Sequence, residues 1–159
     1  MRGTESGAER RSRIEIRPAR PSDAADLADL YWRARQTSVP AIPPPVHPRE
    51  SITEWMRETV LVERRTWVPI DAHQIVGILV IEDPDWIDQL YVEPDLLGRG
   101  IGTLLLRQAL QHTRGPARLW CFQSNAPARR FYERHGFVAT AWTEGDNEEG
   151  APDVLYIRS

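Results

Sequence analysis

Three glycines alternate in Leu97-Gly98-Arg99-Gly100-Ile101-Gly102, between an apolar stretch from Trp86 to Val92 and an amphipathic one from Gly100 to Thr113. The first stretch predicts a strand. The second predicts a helix, with Leu104, Leu105 and Leu110 among its apolar residues. The chain must turn sharply between them, and glycine supplies the backbone angles for that. Arg118 to Phe122 predicts another strand, so Trp86 to Phe122 is expected to form a βαβ unit with parallel strands. Exposed N–H groups at the helix start, with the positive end of the helix dipole, suit a phosphate, and Arg99 adds a charge-assisted contact. Alone, such a loop serves equally as a tight turn.

Two other phosphate loops are disfavoured. A Walker loop requires Gly-Lys-Ser/Thr, and all 20 residues of the Lys+Arg count are arginine. The lack of lysine also excludes a Schiff base or a lysine general base. A dinucleotide fingerprint requires an acid about twenty residues downstream, where this chain has Trp120-Cys121-Phe122-Gln123.

Around that unit, Ile14 to Pro18 predicts a strand, and Ser22 or Asp23 is expected to cap a helix carrying Leu27, Leu30 and Tyr31. Val39 to Pro48 holds five prolines and predicts a loop, followed by a helix over Arg49 to Glu63. Trp67 to Ile70, Gln74 to Ile81 and Trp86 to Val92 predict an antiparallel meander. Asn125 caps a further helix with Pro127 in its first turn and Gly136 at its end. Phe137 to Thr143 and Val154 to Ile157 predict the last strands. The order β-α-α-β-β-β-α-β-α-β-β is that of an α+β domain.

A length of 159 residues fits one domain. Met1 to Arg13 is polar and arginine-rich without the apolar core of a secretory signal. Residues 1–12 are therefore expected to be a disordered tail and residues 13–159 a single domain. A net charge of −3 does not favour nucleic acid or an anionic membrane, and no apolar run approaches the ~20 residues that span a bilayer. Cys121 is the single cysteine, and no Cys/His cluster has zinc spacing. No metal and a cytoplasmic setting are the expectations.

The motifs Tyr91-Val92-Glu93-Pro94, Leu97 to Gly102 and Leu104-Leu105, followed by Asn125, Pro127, Ala128 and Phe131-Tyr132-Glu133-Arg134-His135-Gly136-Phe137, closely resemble the GNAT acyltransferase superfamily. The resemblance spans roughly Ile14 to Ser159 and departs at Leu97, where the family usually has Gln or Arg. It implies an α+β fold: a mixed, mostly antiparallel sheet of about six to seven strands with about four helices and splayed central strands. It also implies acetyl-CoA as acyl donor, with a small amine or peptide as acceptor. Leu90, Tyr91 and Val92 would offer strand backbone to the pantetheine arm. Gly98, Arg99, Gly100, Ile101, Gly102 and Thr103 would hold the pyrophosphate. Asn125 would hydrogen-bond the cofactor, a role compatible with capping its helix. By analogy, a sheet edge would pair into a homodimer.

The resemblance also makes Tyr132 the acid that protonates the leaving thiolate, since a phenol near ~10 can donate to a thiol near ~8.5; otherwise it is a core tyrosine. A backbone N–H of Leu90 to Val92 would meet the oxyanion. Some family members place a glutamate base where this chain has Trp86. Asp88, Glu82 or a water held by the acidic loop are the alternatives, and Asp88 serves equally as a surface residue or an arginine's partner.

On the acceptor side, Tyr31, Trp32, Arg35, His47 and Trp55 are candidates for lining the mouth, with packing as the competing role of each. His47 could also act as a base. Glu148 and Glu149, in the acidic segment Asp146 to Asp153, would attract a cationic amine or simply be solvated. An acyl-CoA-binding sensor without catalysis is the alternative function.

Overall fold

The computed structural model describes residues 14–38 and 41–159. The expected tail and the first two residues of the proline loop lie outside the described residues. The strands are β1 (Glu15–Pro18), β2 (Arg65–Asp71), β3 (Gln74–Ile75), β4 (Gly77–Glu82), β5 (Trp86–Val92), β6 (Ala117–Phe122), β7 (Val138–Trp142) and β8 (Asp153–Arg158). The helices are α1 (Ala24–Thr37), α2 (Arg49–Trp55), α3 (Ile101–His112) and α4 (Ala126–Arg134). The sheet runs β1-β2-β4-β5-β6-β8-β7, with β3 paired to β2. All pairings are antiparallel except β5 with β6. This is the expected mixed α+β arrangement. It has eight strands because Gln74 to Ile81 divides at Val76, whose N–H bonds to Pro69 O and whose carbonyl accepts from Glu93 N.

Both faces of the sheet are covered. On β4, Ile78 and Val80 join α1 residues Leu27 and Leu30 on one face, while Leu79 and Ile81 join α3 residues Leu105 and Leu106 on the other. A two-residue period with both faces apolar explains why β4 reads as a continuous hydrophobic run.

The helix expected over Arg49 to Glu63 is α-helical through Trp55, π-helical over Met56–Val60, and closes with an α-helical turn at Leu61–Glu63. Ile52, Met56 and Val60 are all buried and recur every fourth residue. An α-helix repeats every 3.6 residues, so the wider π turn keeps the three on one side.

The start of α1 also differs from expectation. Pro21–Asp23 forms a 3₁₀ turn, and Asp23 makes no side-chain cap to α1. Its carboxylate turns back instead. It accepts from Arg20 N at 2.7 Å and from both terminal nitrogens of Arg17 at 2.8 and 3.2 Å. The hydrogen bonds from Arg17 hold the Asp23 carboxyl below its usual range. Asp23→Ala should therefore lower stability by about 1–3 kcal/mol at neutral pH. The advantage of the native residue is full above the unfolded carboxyl value and disappears as pH falls through the depressed folded one. Urea unfolding of both proteins at pH 7 and at pH 3 checks this.

Candidate active site

Strands β5 and β6 meet at one register pair only, Trp86 with Arg118. Beyond it they separate. Between Val80 and Ile81, β4 shifts register against β5, pairing Val80 with Gln89 and Ile81 with Ile87. Asp88 is thus the extra residue of a bulge, which bends a strand and increases its twist. The closed end is sealed by aromatic stacking: the Trp86 and Trp120 rings lie 6.3 Å apart and nearly parallel. The Arg118 guanidinium sits 4.6 Å from the Trp86 ring centroid and pairs with Asp85 at 2.9 Å. Trp86, at the position where some family members place a glutamate base, belongs to this seal.

The glycine loop lies past the open end of β5. Gly98 and Gly100 have φ of +79° and +84°, which L side chains rarely adopt, and an added Cβ on Gly98 would have open space. Leu104 N, 3.1 Å from Gly100 O, is the first amide of α3 to find its acceptor. The N–H groups of Ile101, Gly102 and Thr103 precede it at the helix start, an arrangement suited to an anion. Leu97 is exposed.

Helix α4 packs beside α3. A Cβ on Gly102 would touch the Phe131 ring at 3.4 Å, and Thr103 Oγ1 is 3.4 Å from His135 Nε2. Asn125 caps α4 by accepting from Ala128 N at 3.3 Å. Tyr132 lies against the rings of Phe131, Phe137 and Tyr156. Burial pushes its phenol well above the ordinary tyrosine value, so it stays protonated at neutral pH. Cys121 is buried, and burial pushes its thiol up to about 12, which makes it a poor nucleophile.

Strand β5 divides the site into two sides. Leu90 and Tyr132 pack with the α3 cluster, while Tyr91 packs with the α1 cluster. On the α1 side, Tyr31 meets Tyr91 edge-on at 5.4 Å and Trp55 at 5.6 Å. Arg35 donates to Tyr31 Oη at 3.2 Å and to Pro43 O at 3.0 Å. The acidic loop between β7 and β8 folds onto this side. Glu149 lies 3.5 Å from Arg35, and Glu148 lies 3.2 Å from His47. Ser124 ties the turn after β6 to the proline loop by donating to Ala41 O at 2.7 Å. Tyr31, His47, Glu148 and Glu149, chosen from distant segments, are thus gathered in one region, with Glu149 facing the Arg35 guanidinium and Glu148 the His47 ring.

Asp88 pairs with Arg64 at 2.6 Å. Burial raises its carboxyl above the usual range, and Arg64 partly offsets this. Sequence reasoning missed Arg64 and had Arg35 only as one of five candidates for lining the mouth, with packing as its competing role. The available signal was the i, i+4 spacing of Tyr31 and Arg35, which puts both on one face of α1.

A sequence family described as Acetyltransferase (GNAT) family matches residues 24–137. Probable N-acetyltransferase Rv2775 of Mycobacterium tuberculosis is 31% identical over 141 residues, covering 79% of this chain and 80% of that protein. Peptidyl-lysine N-acetyltransferase YiaC of Escherichia coli is 30% identical over 91 residues, covering 56% of this chain and 62% of that one. Among solved structures, apo-form YjaB from Escherichia coli superposes with a TM-score of 0.73 at 24% identity, covering 91% of this chain and 96% of that one. PaiA N-acetyltransferase from Thermoplasma acidophilum in complex with coenzyme A superposes with a TM-score of 0.69 at 18% identity, covering 92% and 98%. At these identities the structural likeness is one of fold. No helix among the described residues is long and apolar enough to cross a membrane, and no group of three or more His, Cys, Asp or Glu among them is placed to hold a metal.

Proposed function

Because the chain belongs to the GNAT acetyltransferase family, we propose that it transfers an acetyl group from acetyl-CoA directly to a primary amine of a small molecule or peptide. The observation that carries this is the opening of the sheet between β5 and β6, with the glycine loop at one side of it and Tyr132 close by. The pyrophosphate is assigned to the N–H groups of Gly98 to Thr103, aided by Arg99. The pantetheine arm runs along the free edge of Leu90, Tyr91 and Val92 like an added strand. Asn125 keeps its cap and turns its amide nitrogen to the cofactor. The coenzyme A bound to PaiA supports this choice of donor.

The amine arrives from the α1 side and attacks the thioester carbonyl. A C–N bond forms, the C–S bond breaks, and the oxyanion between them is met by a β5 backbone N–H. Tyr132 gives its proton to the departing thiolate. Asp88, held above its usual range by burial, takes the ammonium proton directly or through water; Glu82, at the end of the neighbouring strand β4, is the alternative acceptor. Arg64 keeps the Asp88 carboxylate oriented. No covalent enzyme intermediate is required.

Release of free thiol from acetyl-CoA should depend on both protein and amine in a panel of polyamines, aminoglycosides, amino acids and short peptides. Binding of acetyl-CoA with no release on any amine would instead support a sensor without catalysis.

A further inference from the structure

Arg35 is a buried cation with an incomplete set of partners. Its side chain is 5% exposed, yet Nε is buried and makes no hydrogen bond among the described residues. Nη1 is satisfied by the Tyr31 phenol and Nη2 by Pro43 O. The Glu149 carboxylate is 3.5 Å away, longer than the ~2.7–2.9 Å of a charge-assisted hydrogen bond. A guanidinium removed from water normally takes a carboxylate on two of its N–H groups, because an underpaired buried charge is costly. Here the fork is not filled that way.

The carboxylate now facing Arg35 is displaceable at its side chain rather than with its loop. The β7–β8 loop is pinned by Asn147, which donates to Ala151 O and Asp153 and accepts from Ala151 N, but the Glu149 carboxylate makes no hydrogen bond among the described residues and its side chain is 18% exposed. The position of Arg35 also matters. Its guanidinium lies 6.0 Å from the Phe122 ring at the end of β6, with the Tyr91 phenol of β5 beside it. It therefore stands at the open end of the split in the sheet, on the side from which an amine must enter.

We propose that Arg35, with the Tyr31 and Tyr91 phenols, is the subsite for a carboxylate carried by the acceptor amine, and that Glu149 is an internal stand-in which the acceptor displaces. This rests on the acetyl-transfer reading and narrows its acceptor to small amino-carboxylates such as amino acids. The acidic loop then acts as a competitor for the entering anion rather than as a lure for a cation.

Binding of N-acetyl amino acids and of their C-terminal amides to the coenzyme A-loaded protein, followed by calorimetry, tests this without turnover. At least one acid should bind about tenfold or more tighter than its amide. Glu149→Gln should tighten acid binding about threefold or more by removing the competing state, and leave amides unchanged. Arg35→Lys keeps the charge but loses the fork, and should erase most of the preference for acids. Should Arg35→Met unfold the protein, the Arg35→Met/Glu149→Gln pair removes both charges of the pair together and should bind acid and amide alike.

Equal binding of acids and amides, no binding of either, or weaker acid binding in Glu149→Gln would overturn the subsite and make Glu149 the permanent counter-ion of Arg35. Acid-selective binding without thiol release on any amine would overturn acetyl transfer while leaving the subsite. Thiol release with no preference for carboxylate-bearing amines would do the reverse.

Discussion

Tyr132→Phe should lower kcat by about 10²–10⁴, the range expected for loss of a positioned general acid, with little change in the KM for acetyl-CoA. The phenol stands above its ordinary value because of burial. It is therefore protonated throughout the neutral range, and the loss should be the same at pH 6.5 and pH 8.5. The ring packs against Phe131, Phe137 and Tyr156 through contacts that phenylalanine retains, so the melting temperature should barely move. An acetyl thioester of a more acidic thiol needs less help in leaving and should recover much of the lost rate. Full turnover of Tyr132→Phe with acetyl-CoA would remove the tyrosine from the mechanism and leave it as core.

Gly100→Val should raise the KM for acetyl-CoA about tenfold or more with a smaller effect on kcat at saturation. Gly100 stands at φ +84° as the residue before α3. A non-glycine residue there costs roughly 1–2 kcal/mol, more when β-branched. The loop is exposed, so the strain is relieved by moving the backbone and turning its N–H groups away from the anion. Gly115, in the turn between α3 and β6, provides the control. It has φ +89° and open space around it, and it lies at the opposite end of α3 from the glycine loop. Gly115→Val should cost comparable stability and leave the KM unchanged. Steady-state kinetics and melting curves on the two variants separate backbone strain from lost anion binding.

The features legible in the sequence are those that local backbone chemistry determines. The alternating glycines could only make a tight loop, and Asn125, Pro127 and Gly136 marked the limits of α4 because a cap, a first-turn proline and a left-handed terminator each act within a few residues. What escaped notice depends on partners far along the chain. Gln74 to Ile81 carries an apolar run, yet it divides at Val76, whose N–H goes to Pro69 O and whose carbonyl accepts from Glu93 N. Nothing near Asp88 announces a bulge, which arises from how β4 registers against β5. Arg64 is set against Asp88 by the end of the π-containing helix, and Arg35 meets Glu149 only after the whole sheet has been laid down. The glycine loop and the caps of α4 were therefore readable from contiguous motifs. The region around Arg35, assembled from α1, the proline loop, β5, β6 and the β7–β8 loop, was readable only as a set of separate candidates.

The single register pair between β5 and β6 divides the sheet into two half-sheets, β1-β2-β4-β5 and β6-β8-β7, sharing one rung at the tryptophan stack. An incomplete ladder is a weak mechanical seam, since neither half can pass its order to the other along the missing hydrogen bonds. A donor molecule lying along β5, as proposed, would supply part of what the seam lacks. The substrate would then serve as a structural member as well as a reactant. The two halves already share one apolar core, so on that proposal the seam should open less readily in the loaded protein than in the free one, and the chain would be at its most cohesive while it holds the group it is about to give away.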